Sequence, residues 1–209
     1  NTTASDNTAV GKNALLVNTT GTLNNALGSG SSMANTTGDC NVSVGNDSMR
    51  FSATGDGNVA IGFKALYCNN GATPDFNVAV GRQSLHSNTT GNRSTAIGLN
   101  ANYSGTTGEC NVSVGENSGY GITTGSKNVL IGASAGCAIT SGSYSVAVGE
   151  CALKTATTGE NVAVGRHAAL NITTGTNNFV FGSGADAVFN LTTHSHNIVI
   201  GNNSSQSAY

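Results

Sequence analysis

Asn77-Val78-Ala79-Val80-Gly81 reads NVAVG, and the same five residues return at Asn161 to Gly165. Close variants begin at Asn58 (NVAIG) and at Asn41 and Asn111 (NVSVG). Within the motif the large apolar residues stand two apart, the period of an extended chain, and a glycine closes it. With the closing glycine as register mark, copies end at Gly11, Gly28, Gly45, Gly62, Gly81, Gly98, Gly115, Gly132, Gly149, Gly165, Gly182 and Gly201, mostly 17 residues apart with extremes of 16 and 19. Ten residues after most marks comes a second glycine behind two hydroxyl residues, as in Asn18-Thr19-Thr20-Gly21. A second short segment follows three and four residues after the mark, as in Ala65-Leu66 and Ser84-Leu85, and predicts a second short strand. Glycine recurs too often, and apolar runs are too short, for a helix.

Units of this size with two strands and two glycine corners predict coils of an all-β parallel β-solenoid, each coil pairing with those above and below. Residues 1–209 then form one repetitive domain of twelve coils, a rod of about 58 Å at about 4.8 Å per coil. Composition agrees. Only 9% of the chain is charged, Trp is absent, and one Pro stands against 29 Gly, which is the material of strands and turns and not of an ordinary enzyme domain. The net charge of −2 gives no electrostatic footprint for nucleic acid, and no apolar stretch is long enough to span a membrane.

The residue two before each mark reads Ala9, Ala26, Ser43, Ala60, Ala79, Ala96, Ser113, Leu130, Ala147, Ala163, Val180 and Val199, without one charge. If the flanking Val and Ile residues fill the coil, this column faces the other way. Its small, uncharged residues then predict a subunit interface through Ala9, Ala26, Ser43, Ala60, Ala79, Ala96, Ser113, Ala147 and Ala163; the competing reading is that both faces are internal to one thin chain. Charges gather at the corners instead, among them Lys12, Lys64, Arg82, Glu116, Glu150 and Arg166.

The string NVAVG…AL…NTTG…NVAVG resembles the head repeats of trimeric autotransporter adhesins (YadA-like), and related repeats of phage and viral tail fibres. The resemblance covers essentially the whole chain and implies left-handed β-rolls packed three about an axis. The adhesin repeat is typically shorter than 17 residues, with the surplus here in the Thr-Thr-Gly corner, which favours a fibre relative. The chain begins in mid-coil and carries no cap at either end, so it is expected to be a segment of a longer fibre; head-to-tail stacking into a filament is the other reading.

Candidate chemistry is sparse. His194 and His196, one face of a strand apart, form a metal ring only if tripled about an axis, and are expected to be exposed loop residues. His86 and His167 occupy different offsets with no carboxylate ladder, and no Gly-x-Ser-x-Gly elbow presents a nucleophile. No enzyme activity, metal or cofactor is expected. Of five cysteines, Cys40 and Cys110 share an offset four coils apart, too far to bridge. Cys137 and Cys151 lie on adjacent coils three positions out of register, and Cys68 has no evident partner; the odd count permits interchain bridges or free, buried thiols, and the latter are expected. Thirteen Asn-x-Ser/Thr sequons offer glycan acceptors near the Thr-Thr corner at Asn18, Asn35, Asn88, Asn171 and Asn190.

Two functional classes follow. One is an extracellular structural fibre or stalk, of virion or cell-surface type, a homotrimer or homopolymer. In the other the repeat surface itself binds a host-surface glycan or receptor. Ice binding fits poorly, because adjacent threonines point opposite ways.

Overall fold

The computed structural model describes residues 3–69, 76–184 and 192–201. It contains one twelve-stranded parallel sheet, with no helix among the described residues. The strands are β1 (Thr8–Val10), β2 (Asn25–Leu27), β3 (Val42–Val44), β4 (Val59–Ile61), β5 (Val78–Val80), β6 (Thr95–Ile97), β7 (Val112–Val114), β8 (Val129–Ile131), β9 (Val146–Val148), β10 (Val162–Val164), β11 (Phe179–Phe181) and β12 (Ile198–Ile200). They stack in chain order, and equivalent residues pair: Val78 faces Val59 on one side and Thr95 on the other. Register survives the 19-residue interval before β5 and the 16-residue interval before β10, so changes of length are absorbed at the corners. Eleven intervals of about 4.8 Å make the sheet about 53 Å long.

β-branched residues at the alternate, outer positions favour the extended backbone in most strands, β2 (Asn25–Leu27) and β11 (Phe179–Phe181) being the exceptions. The Val78 N–H donates to Ser94 O at 2.9 Å on one side, and the Gly81 N–H to Ile61 O at 2.8 Å on the other. The marker glycine is required twice over. Gly62 has φ +133°, and a Cβ there would lie 2.6 Å from the carbonyl oxygen of Gly81 in the next coil.

Beyond the marker the structure departs from the expected second strand. Lys64 (φ 54°) and Leu66 (φ 51°) both enter the left-handed region, as do residues at the same offsets in other coils. The segment is a pair of tight turns, closed by Ala65 N–H to Gly62 O (3.3 Å) and, one coil earlier, by Ser52 N–H to Met49 O (3.2 Å). The sequence signal was the adjacency of Ala65 and Leu66: both are fully buried, whereas neighbours on an extended strand point to opposite faces.

The strand faces are also reversed from expectation. Ala26, Ser43, Ala60, Ala79, Ala96, Ser113, Ala147 and Ala163 are buried inside their own chain, at 0–1% exposure, and have no surface left for a partner. Only Ala9 is exposed, on β1 at the sheet edge. The flanking Val and Ile residues point outward. The reason is the width of the coil: Asn58, Ala65 and Leu66 already occupy the interior of one coil and leave room for no more than Ala60. β8 demonstrates the constraint. Its inward residue is Leu130, and the facing positions, which carry Leu or Met in five other coils and Ser32, Asn102 or Ala169 in three more, are Gly119 and Gly136; a Cβ on either would lie 2.9 or 2.7 Å from a Leu130 methyl.

Polar ladders complete the core. Asn24, Asn41, Asn58, Asn77, Asn111, Asn128, Asn161 and Asn178, four before their marks, are buried, with serines at 94 and 145. Each Oδ1 that is hydrogen-bonded along the column caps the next coil's backbone, as when the Asn41 N–H donates to Asn24 Oδ1 (3.0 Å) and the Asn58 N–H to Asn41 Oδ1 (2.9 Å). The amide groups donate to second-corner glycines: Asn41 Nδ2 to Gly55 O (2.7 Å), Asn77 Nδ2 to Gly91 O (2.9 Å). Buried amides are stable there because their donors and acceptors are satisfied.

Candidate functional site

The outward side of the sheet is the most distinctive surface. Two columns run along it, one at the first residue of each strand and one at the last. The last-residue column reads Val10, Leu27, Val44, Ile61, Val80, Ile97, Val114, Ile131, Val148, Val164, Phe181 and Ile200, apolar in every coil. The first-residue column is Val, Phe or Ile apart from Thr8, Asn25 and Thr95, and neither column holds a charge. These side chains remain half-exposed or exposed, Ile61, Ile97 and Ile131 at 40% each. A strip about 53 Å long and about 10 Å wide presents roughly 500 Å² of uncharged surface, near the upper end of what isolated soluble chains display.

Five residues after the marker, a second column carries rings. Tyr67, His86, Tyr103 and Tyr120 stack face to face with centroids 4.8–5.2 Å apart, and Phe51 meets Tyr67 edge-on. Lys64 Nζ lies 5.1 Å from the Tyr67 ring centroid. Burial, and then the Lys64 charge, push the His86 imidazole below its ordinary value of 6.5. Because the rings cover one another's faces, the stack ties coil to coil and offers edges to solvent, whereas a sugar stacks on a ring face. Beside its end, Asn100, Asn117, Tyr120, Ser134 and Cys137 line an open cleft of about 430 Å³.

The Thr-Thr-Gly corner is structural. Asn18, Asn35 and Asn88 are buried at 2% exposure. Asn18 Nδ2 donates to Gly21 O (2.9 Å), Asn35 Nδ2 to Asn18 Oδ1 (3.0 Å), and Asn88 Nδ2 to Asn69 Oδ1 (2.8 Å) and Gly91 O (3.0 Å). A glycan on these nitrogens would replace the inner ladder, so the expectation of acceptors at Asn18, Asn35 and Asn88 is corrected. Asn171 sits one position earlier in its coil, is half-buried, and leaves the inward position to Ile172. Asn190 lies outside the described residues. The first threonine of each pair is equally occupied: Thr36 Oγ1 donates to Ala53 O (3.0 Å) and Thr89 Oγ1 to Thr106 O (3.0 Å).

The five cysteines are free, but Cys40 is exposed and the other four are half-buried, not buried as expected. Burial raises the Cys68 and Cys137 thiols above their ordinary value, against the opposing charges of Lys64 and Lys154 respectively. His194 and His196 are exposed. His167 is drawn into a group the sequence reading missed, with Glu150 and Cys151. Its signal was available: Cys151 and His167 share the offset two after their marks in consecutive coils.

Comparison of the chain with models of protein families, with curated proteins and with solved structures gives no match. No helix among the described residues is long and apolar enough to cross a membrane.

Proposed function

We propose that this chain is a structural rod of an extracellular fibre, of the phage or viral tail-fibre or cell-surface adhesin type, in which three copies pack side by side. The observation that carries the reading is the uncharged outer sheet face. A coil exposed to water on that side in its working state has no reason to exclude Lys and Glu from both columns in every strand described. Three such strips turned toward a common axis bury up to about 1,500 Å² together, within the range of stable specific assemblies. The occupants are two further copies of the same chain, because a strip repeating every 4.8 Å or so is matched by other strips of the same repeat. The small-residue column contributes nothing to this contact; the Val and Ile columns do.

The fold suits the role. Each coil is held by its neighbours through backbone ladders and buried amides, so the rod is stiff without needing a broad globular core. Binding of a glycan or receptor by the repeat surface is the weaker reading, since the ring stack exposes edges and the corner threonines spend their hydroxyls on the backbone.

Light scattering and sedimentation of the purified chain test the proposal. An elongated trimer is expected, and a Val78→Lys, Val80→Lys variant is expected to dissociate while keeping its strand circular dichroism. A parent chain that is monomeric at tens of micromolar, or a variant that still forms trimers, would overturn it.

A further inference from the structure

We propose that Glu150, Cys151 and His167 form a binding site for a single divalent transition-metal ion of the zinc type, independent of how the rod assembles. The ligand atoms of the three residues, a carboxylate oxygen, the Cys151 sulfur and an imidazole nitrogen, lie within 4.8 Å of one another. The solenoid itself brings them together. Cys151 and His167 stand at the same offset in consecutive coils, two after Gly149 and Gly165, so their side chains leave the backbone about one strand spacing apart.

Their backbones match. Cys151 has φ 57° and His167 φ 58°. The His167 N–H donates to Glu150 O at 2.8 Å, and the Cys151 N–H to Ala133 O at 2.9 Å, so the ligands are fixed on the coil ladder. Elsewhere the same offset pairs residues such as Lys64 with Gln83, or Asn100 with Asn117. Sulfur, nitrogen and oxygen donors select Zn²⁺ or Co²⁺ over Ca²⁺ and Mg²⁺, which take oxygen alone. Three protein ligands leave a fourth tetrahedral position to water. As the metal–sulfur bond forms, the Cys151 thiol gives its proton to solvent.

One group competes. Arg166 Nε donates to Glu150 Oε2 at 3.0 Å, with both side chains more than half exposed. An ion pair this open is readily exchanged, and the guanidinium swings into water when the ion enters.

The full chain, reduced with a phosphine and titrated with Co²⁺, is expected to bind one equivalent and to show a thiolate-to-cobalt charge-transfer band that Zn²⁺ abolishes. Cys151→Ser removes the band. Glu150→Gln and His167→Gln each weaken binding at least tenfold, while Cys137→Ser leaves it unchanged. Arg166→Gln tightens binding, a change that damage to the fold cannot produce. Absence of the band from the parent chain, its survival in Cys151→Ser, its loss in Cys137→Ser, or weaker binding by Arg166→Gln would overturn the site.

Discussion

Asn41 offers the sharpest measure of how the rod is held together. Its Oδ1 accepts the N–H of Asn58 at 2.9 Å, and its Nδ2 donates to Gly55 O at 2.7 Å and to Asn24 Oδ1 at 3.1 Å, all out of contact with water. Asn41→Ala takes the partner from one buried N–H and one buried C=O. Each such loss costs about 1–3 kcal/mol, so the variant should lose about 2–6 kcal/mol, a large part of the stability of an ordinary domain. Asn41→Asp keeps the shape and reverses the chemistry. Its carboxylate still accepts from Asn58, but it turns a negative oxygen toward two acceptors, Gly55 O and Asn24 Oδ1. The protonated acid can donate to one of them, so the folded state holds the proton more tightly than the unfolded chain, whose Asp titrates near 3.9. Stability of this variant is therefore greatest below about pH 4. It falls as pH rises through the unfolded value, and levels off once the folded carboxyl ionises. Denaturant unfolding across a pH series reads both effects. An Ala variant within about 0.5 kcal/mol of the parent, or an Asp variant whose deficit does not change with pH, would refute the ladder's role.

Other substitutions separate the two sides of the sheet. Ala79→Arg puts a guanidinium where exposure is zero and should abolish cooperative unfolding, not merely assembly; a stably folded variant by circular dichroism would contradict the inward assignment. Gly62→Ala meets both an adverse φ and the Gly81 carbonyl, and should cost at least about 2 kcal/mol in thermal or denaturant unfolding. His86 has a folded-state pKa below the ordinary 6.5, so its neutral form is favoured. Its contribution is intact above that value and is lost as pH falls through 6.5 toward the folded value, and His86→Phe should remove that part of the acid sensitivity.

Most of the architecture was legible because a solenoid repeats its evidence. The marker glycines alone located every strand and its register, and the corner position of the 19- and 16-residue irregularities followed. The sense of the strand was harder. Alternation says that Val78 and Ala79 face opposite ways, but not which way is in, and the habit of burying the larger residue pointed outward. The deciding clue was size: where the inward residue swells to Leu130, the two positions that face it, 119 and 136, are the ones at that offset reduced to glycine. Likewise, a sequon looks like surface chemistry until the side-chain amide of Asn88 is seen to serve Asn69 and Gly91. The Glu150, Cys151 and His167 group was visible only by comparing offsets between coils, because it has no spacing motif within one coil.

The in-register stacking of β1 to β12 has a genetic corollary. Since each residue meets its own counterpart one coil away, an in-frame duplication or deletion of a whole coil creates no foreign junction: the inserted rung finds the same glycine, the same amide and the same outer valines above and below. Length can therefore change in discrete steps of one strand spacing, making the rod a ruler whose graduations are written directly in the gene.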